Sequence, residues 1–349
     1  MAKLGFGIIG CGVIHRWHAS AIQSLGGDDA EVVAVCDVVE QRAKDAAEKL
    51  GATAYTDIHE MLRDKRVDIV TVGTPSGMHI DHAIEAVMAG KHVIVEKPFD
   101  INLDKVDRFI AAAKDAGVYI TCVSQTRYAP GVRQLHEWLD SGKLGKLIYA
   151  DATVKWHRTQ EYYNSGDWRG TWALDGGGAL MNQGIHYADQ LRWAMGNPKS
   201  LFAYASTGGH DIEVEDVVTA SIQFENGGIG SLTATTCAYP GFEQTLDIFG
   251  TEGSVRMADQ EVIAAHFVNG EKYERPEAKA AGATASDPAA VGSYNHGLQF
   301  RDFVDAINNK RKPFVGAREG REALETVLAV YESARTGQPV TFPLRPSKG

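Results

Sequence analysis

Cysteine is scarce in this chain. Only Cys11, Cys36, Cys122 and Cys237 occur in 349 residues, with no CxxC pair, and the first three lie in apolar segments that read as buried strand ends. A disulfide framework is therefore not expected, and a reduced, cytoplasmic compartment fits. The sequence also lacks an HExxH motif and any Cys/His run with metal-ligand spacing, so no metal is expected. No uninterrupted run of about 18 apolar residues exists, which excludes a transmembrane helix. The opening MAKLGFGIIGCG has one lysine and a short apolar run broken by glycine; it reads as a strand and not as a signal peptide. Positive charge is short as well: 35 Lys and Arg stand against 45 Asp and Glu, a formal charge of −10. With no basic run to offset it, neither nucleic acid nor an anionic membrane is an expected partner.

What is present is ordinary globular material, 44% hydrophobic and 23% charged, in a length that suits about two domains. From Leu4 to Val123 short β-branched runs alternate with helical patterns, as parallel βαβ units do. Strands are expected at Leu4 to Ile9, Glu31 to Cys36, Val67 to Val72, His92 to Val95 and Val118 to Val123. Helices such as Gln41 to Leu50, His79 to Ala89 and Leu103 to Ala116 separate them, with Gly51, Gly90 and Gly117 where left-handed caps belong. The predicted fold class is α/β: a doubly wound parallel sheet over residues 1–125.

Residues 126–349 read as a second, α+β domain with an open, mostly antiparallel sheet. A helix from Gly131 to Asp140, a strand from Lys146 to Trp156 and a helix from Ala179 to Ala194 precede strands that follow one another without helices. These run from Leu201 to Ser206, Val217 to Phe224, Gly228 to Thr236, Gln244 to Gly250 and Val262 to Phe267, with a hairpin signal at Asn226-Gly227-Gly228. The exposed face of this sheet is expected to be apolar and to drive assembly. Arg275 to Gly292 lacks periodicity and reads as a surface loop. Helices from Tyr294 to Asn308 and Ala317 to Ala334 close the chain, the terminal helix free to pack back on the first domain.

Gly10-Cys11-Gly12-Val13-Ile14-His15 follows the first strand and opens a helix, the setting in which a glycine fingerprint means dinucleotide binding. His15 stands where the third glycine would be. Asp37 ends the second strand, where a carboxylate accepts from the adenosine ribose hydroxyls and repels a phosphate. NAD is thus expected over NADP, although Arg42 lies within reach of a phosphate. Glu96-Lys97-Pro98 follows a buried strand at the carboxyl edge of the sheet, so Lys97 is placed to stabilise charge on a reacting oxygen. Asn182, His186 and Asp189 fall on one stripe of one helix behind Gly176-Gly177-Gly178, and His186 is the group most easily poised to exchange a proton. Water facing such a stripe is the plain alternative.

The stretches GCGVIHRWHA, TPSGMHIDHAIEAVMAGKHVIVEKPF and ALMNQGIHYADQL resemble the Gfo/Idh/MocA family across essentially the whole chain. The resemblance implies an amino-terminal Rossmann domain, a carboxy-terminal sheet that mediates homodimers or homotetramers, and NAD(P)-dependent oxidation or reduction of a sugar or polyol. It implies catalytic roles for Lys97 and His186, with Asn182 where many members carry an aspartate. Residues Thr74, Pro75, His79, Glu96, Gln125, Trp168, Arg169 and Tyr294 are implied to line the cofactor or the mouth of the site, beside Gly10, Cys11, Gly12, Val13, Ile14 and Asp37. The run YYNSGDWRGTWALDGGGALMNQ is most similar to the nucleotide-sugar branch that oxidises C3 of UDP-N-acetylglucosaminuronic acid. Arg169 is the candidate for an anionic substrate group, with Lys97, Asn182 and His186 at the reacting hydroxyl. Two rival readings are a non-catalytic NAD-binding sensor, which would need neither Lys97 nor His186, and NAD-assisted glycoside cleavage through a 3-keto intermediate.

Overall fold

Short runs of Val, Ile and Phe without polar alternation need cover on both faces. In the computed structural model, which describes residues 3–27, 29–275 and 292–344, such runs form the first of two sheets. Its strands are β1 (Leu4–Ile9), β2 (Ala30–Cys36), β3 (Thr53–Tyr55), β4 (Ile69–Val72), β5 (His92–Val95) and β6 (Ile120–Cys122), all parallel, in the order β3-β2-β1-β4-β5-β6. The order reverses between β1 and β4, and it is outside the carboxyl ends at such a reversal that open α/β sheets bind ligands. β3 and the helix Ile58–Leu62 are absent from the sequence reading because segments of three and five residues are too short to show a period.

The chain divides into two units, Met1–Gln125 with Gly292–Arg321, and Thr126–Val291 with Glu322–Gly349. The first therefore contains a late piece of chain. Its core joins Phe6, Ile8, Ile69 and Ile94 of the sheet to Phe300, Phe303 and Val304 of the helix Tyr294–Asn308, and the rings of Phe6 and Phe300 stack at 6.3 Å.

The second unit is built on β7 (Leu147–Lys155), β8 (Pro198–Ser206), β9 (Val217–Phe224), β10 (Ile229–Thr235), β11 (Thr245–Gly250), β12 (Gly253–Ala258), β13 (Glu261–Phe267), β14 (Lys272–Glu274) and β15 (Val340–Thr341). They lie in the order β14-β13-β12-β11-β7-β10-β9-β8-β15, antiparallel throughout except for β7 beside β10. The sequence reading missed β12, in which only Val255 and Met257 carry the inward alternation. Along β9 the side chains of Val218, Ala220, Ile222 and Phe224 are buried, and the helices Pro130–Asp140 and Ile185–Met195 cover that face of the sheet. The opposite face, expected to be apolar, is mixed. Tyr204, Val217, Ile229 and Phe249 are exposed there, Ile229 and Phe249 both beside Tyr149, and this apolar row alternates with hydroxyl pairs, Thr153 with Thr245 at 2.7 Å and Thr219 with Thr233 at 3.1 Å.

The helix expected from Ala179 to Ala194 is not uniformly wound. It begins as a π-helical turn, Ala179–Gly184, and becomes α-helical only at Ile185–Met195. The i, i+4, i+7 stripe drawn through Asn182, His186 and Asp189 assumed one uniform winding, which the wider turn breaks. Of the expected loop from Arg275 to Gly292, residues 276–291 lie outside those described. Among the described residues no helix is long and apolar enough to cross a membrane.

Candidate active site

The turn after β1 is held by its neighbours. Gly10 has φ +91°, and a Cβ there would sit 2.7 Å from the carbonyl oxygen of Gly73, so only glycine fits. The amide of Cys11 donates to Asp37 Oδ2 at 2.8 Å, and the amide of Val39 donates to Oδ1 at 2.8 Å. Asp37 thus ties the end of β2 to the glycine turn. Among the described residues, apart from its chain neighbours, nothing lies within 4 Å of where a Cβ on Gly12 would be, which leaves that face of the turn open to a bulky group approaching the amides. A dinucleotide fits this arrangement: Gly12, Val13 and Ile14, where the helix His15–Gln23 begins, could hold its pyrophosphate, and Asp37 could hold its ribose. His15, standing where a third glycine would be, donates from Nδ1 back to the carbonyl of Gly12. Burial first, and Asp37 second, push the Cys11 thiol up to about 12, so it stays protonated. Arg42 is exposed in the next helix.

At the ends of β4 and β5 two histidines organise the loops. His79 is buried, and its Nδ1 and Nε2 lie 2.7 Å from Pro98 O and 2.9 Å from Thr74 O. It braces the loop after β4, with Thr74 and Pro75, against the loop carrying Lys97; burial pushes its pKa down. The peptide bond between Lys97 and Pro98 is cis. Glu96 is buried, with Oε1 accepting from His18 Nε2 at 2.9 Å and Oε2 accepting from the Lys97 amide at 3.0 Å. Burial works to raise its pKa, but the hydrogen bond and attraction of His18, with His296 and Lys97 behind, hold it down at about 2. Neither His18 nor His296 was singled out in the sequence, although His18 lies inside GCGVIHRWHA on the apolar face of its helix. Gln125 is buried at the end of this unit, while Tyr294 is 72% exposed at the start of its helix.

In the second unit the amide of Asn182 donates to Asp175 Oδ1 at 3.1 Å, while Asp175 Oδ2 accepts from the Gly170 amide at 2.9 Å. A carboxylate supplied from the loop ahead of the π turn therefore stands beside Asn182. Asp189 is buried in a bidentate pair with Arg127, at 2.6 and 2.7 Å, and that guanidinium lies 4.4 Å over the ring of Trp193. The π turn is anchored at its start by Glu215, which accepts from the amides of Gly178 and Leu180 and from the Tyr331 hydroxyl. A Cβ on Gly178 would fall 1.7 Å from Glu215 O, which explains the glycine. Burial pushes the Glu215 carboxyl up to about 7. His186 is half-buried one residue into the α-helix.

Arg169 lies 4.5 Å over the ring of Trp168 and 4.7 Å over Tyr162, whose hydroxyl accepts from Arg169 at 3.0 Å and from Gln183 at 3.2 Å. Arg158, buried, lies 5.4 Å over the same Tyr162 ring. Two guanidinium groups thus flank one tyrosine in the segment just ahead of the glycine run. The structure also assembles His210, Asp216 and Cys237, with ligand atoms within 4.8 Å, a grouping their sequence spacing did not announce. The Asp216 oxygens already accept from the amides of Gly208, Gly209 and His210, which makes this cluster a clamp on the loop before β9.

Residues 4–123 match the model of an oxidoreductase family with an NAD-binding Rossmann fold, and residues 132–256 match the GFO/IDH/MocA C-terminal domain. A 1,5-anhydro-D-fructose reductase of Ensifer adhaerens is 30% identical over 340 residues, covering 95% of this chain and 97% of that protein. The WlbA dehydrogenase of Bordetella pertussis, solved in complex with NADH and UDP-GlcNAcA, superposes with a TM-score of 0.87 at 32% identity over 98% of this chain and all, 100%, of that one. Its counterpart from Chromobacterium violaceum, in complex with the same two molecules, gives 0.88 at 34% identity, over 99% of this chain and 97% of that one.

Proposed function

The chain belongs to the GFO/IDH/MocA oxidoreductase family, and on that premise we propose that it is an NAD-dependent dehydrogenase acting on a ring hydroxyl of an acidic nucleotide sugar of the UDP-N-acetylglucosaminuronic acid type. The observation that carries this reading is the likeness, over nearly the whole chain, to two WlbA dehydrogenases in complex with NADH and UDP-GlcNAcA. The bound nicotinamide would accept hydride from the carbon being oxidised. Gly10, Gly12 and Asp37 hold the dinucleotide; Asp37, already fixed by two amides, is set against a 2′-phosphate.

Oxidation of a secondary alcohol releases one proton with each hydride, and that proton leaves the hydroxyl oxygen. We assign its removal to His186 and the stabilisation of the charge left on oxygen to Lys97. Asn182, held by Asp175, orients the histidine or the hydroxyl. Arg169 and Arg158 take an anionic substrate group, carboxylate or phosphate, since guanidinium groups recognise both bidentately. The mixed face of the nine-stranded sheet, with Tyr204 and Phe249 among hydroxyls, is the surface on which we place homodimer or homotetramer formation.

The test is direct. Purified protein with NAD and UDP-N-acetylglucosaminuronic acid should produce NADH, and UDP-N-acetylglucosamine, which lacks the carboxylate, should support a much slower reaction. Equal turnover of the two would remove the acidic-sugar assignment; turnover only of free sugars or polyols would move the substrate to another branch of the family.

A further inference from the structure

We propose that His18 is a positioning residue for Lys97, holding the Glu96 carboxylate as an anion against the lysine's own backbone. The inference rests on Lys97 being the charge-stabilising group of the proposed reaction. The connection is short and lies within one unit: His18 Nε2 to Glu96 Oε1 at 2.9 Å, then Glu96 Oε2 to the Lys97 amide at 3.0 Å. His18 is fully buried and Glu96 nearly so, with relative exposures of 0% and 5%, so neither has water as an alternative partner. The ring of His18 is fixed from the side by Phe300, at 5.4 Å between centroids.

The ionisable groups facing Glu96 are His18 from the helix His15–Gln23, His296 from the helix Tyr294–Asn308 with Nε2 3.9 Å from Oε1, His79 from the helix His79–Met88, and Lys97 itself. Burial pushes His296 down to about 4, so near neutral pH it brings no charge to replace that of a missing partner. Without the His18 hydrogen bond, Glu96 would be a desolvated carboxylate with an unsatisfied oxygen, and such a group takes up a proton. Lys97 would then lose its adjacent anion, and its ammonium would give up its proton more readily. The helix that presents His18 is the one whose first turn follows Gly12. One rigid element therefore both receives the dinucleotide and sets the charge beside the lysine.

A buried histidine with a purely structural role would stabilise the fold and leave the titration of Lys97 alone, which is what the experiment separates. Reductive methylation with 13C-formaldehyde labels the lysines of the intact protein, and loss of a resonance in Lys97→Arg assigns the peak. In His18→Leu and in Glu96→Gln the Lys97 titration midpoint should fall by about one pH unit, the lower end of the effect of an opposite charge nearby. In His18→Gln, which keeps an N–H close to Nε2, it should return to within a few tenths of the parent value. An unchanged midpoint in folded His18→Leu overturns the proposal. Should that variant not fold, an unchanged midpoint in Glu96→Gln does the same. No substrate enters the measurement, so failure of the nucleotide-sugar assignment leaves this result standing, and the reverse holds too.

Discussion

Asn182 gives its side-chain amide to Asp175 across 3.1 Å, and this contact ties the π turn to the loop ahead of it. The carboxylate stands in the loop, and the amide mediates between it and the helix.

Asn182→Asp would place two carboxylates where one amide and one carboxylate now meet, and a pair so close keeps a proton. The pair's pKa rises on folding, so the variant should match the parent in acid and lose melting temperature as pH rises through the neutral range. The exchanged double variant, Asp175→Asn with Asn182→Asp, restores one donor and one acceptor and should recover most of the loss. Thermal melts of the three proteins across pH test this.

Asp37→Ala removes both the ribose acceptor and the brace on the Cys11 amide. NAD affinity should fall at least about tenfold, the cost of losing a hydrogen bond to a charged group, while NADP affinity falls less. Fluorescence titration with both nucleotides gives the ratio; equal losses would mean that Asp37 acts only on the turn.

Glu215 carries a stability signature of its own. Its carboxyl goes from 4.5 when unfolded to about 7 in the fold through burial, so the folded chain binds the extra proton between those values. Stability from this group is complete below pH 4.5 and is lost as pH rises through about 7, on the order of 3 kcal/mol in all. Glu215→Gln should flatten that slope in urea denaturation measured on both sides of the window.

Asp189→Ala should act on the fold. It leaves the Arg127 guanidinium buried without its bidentate partner, a loss worth about 3–5 kcal/mol. Chemical denaturation should show that loss. In the protein that remains folded, the pH dependence of turnover should keep the parent's shape, because both Asp189 oxygens are engaged by Arg127.

What was legible in the sequence was what is local in the chain. The glycine turn, Asp37 and the Glu96-Lys97-Pro98 segment each lie at a strand end whose position the apolar runs declare, and the hairpin at Asn226 to Gly228 joins β9 to β10 as its residues suggest. The partners that brace each unit's buried charges come from far away. His18 and Glu96 are 78 positions apart and Arg127 and Asp189 are 62 apart, separations at which no periodicity speaks. Asp175 and Asn182 are only seven positions apart, yet the loop and the π turn between them follow neither the helical nor the strand period.

The helix Tyr294–Asn308 supplies Phe300, Phe303 and Val304 to a core whose other members come from the first 125 residues. On the ribosome this order of parts has a price in time. The nucleotide-binding sheet emerges first but lacks one wall until nearly the whole polypeptide has been made, so Phe6 and its neighbours stay uncovered while the second unit is still being synthesised. For the same reason a fragment cut after Gln125 is a poor stand-in for a free-standing Rossmann domain: it ends with its apolar strands open on the side where Phe300 belongs.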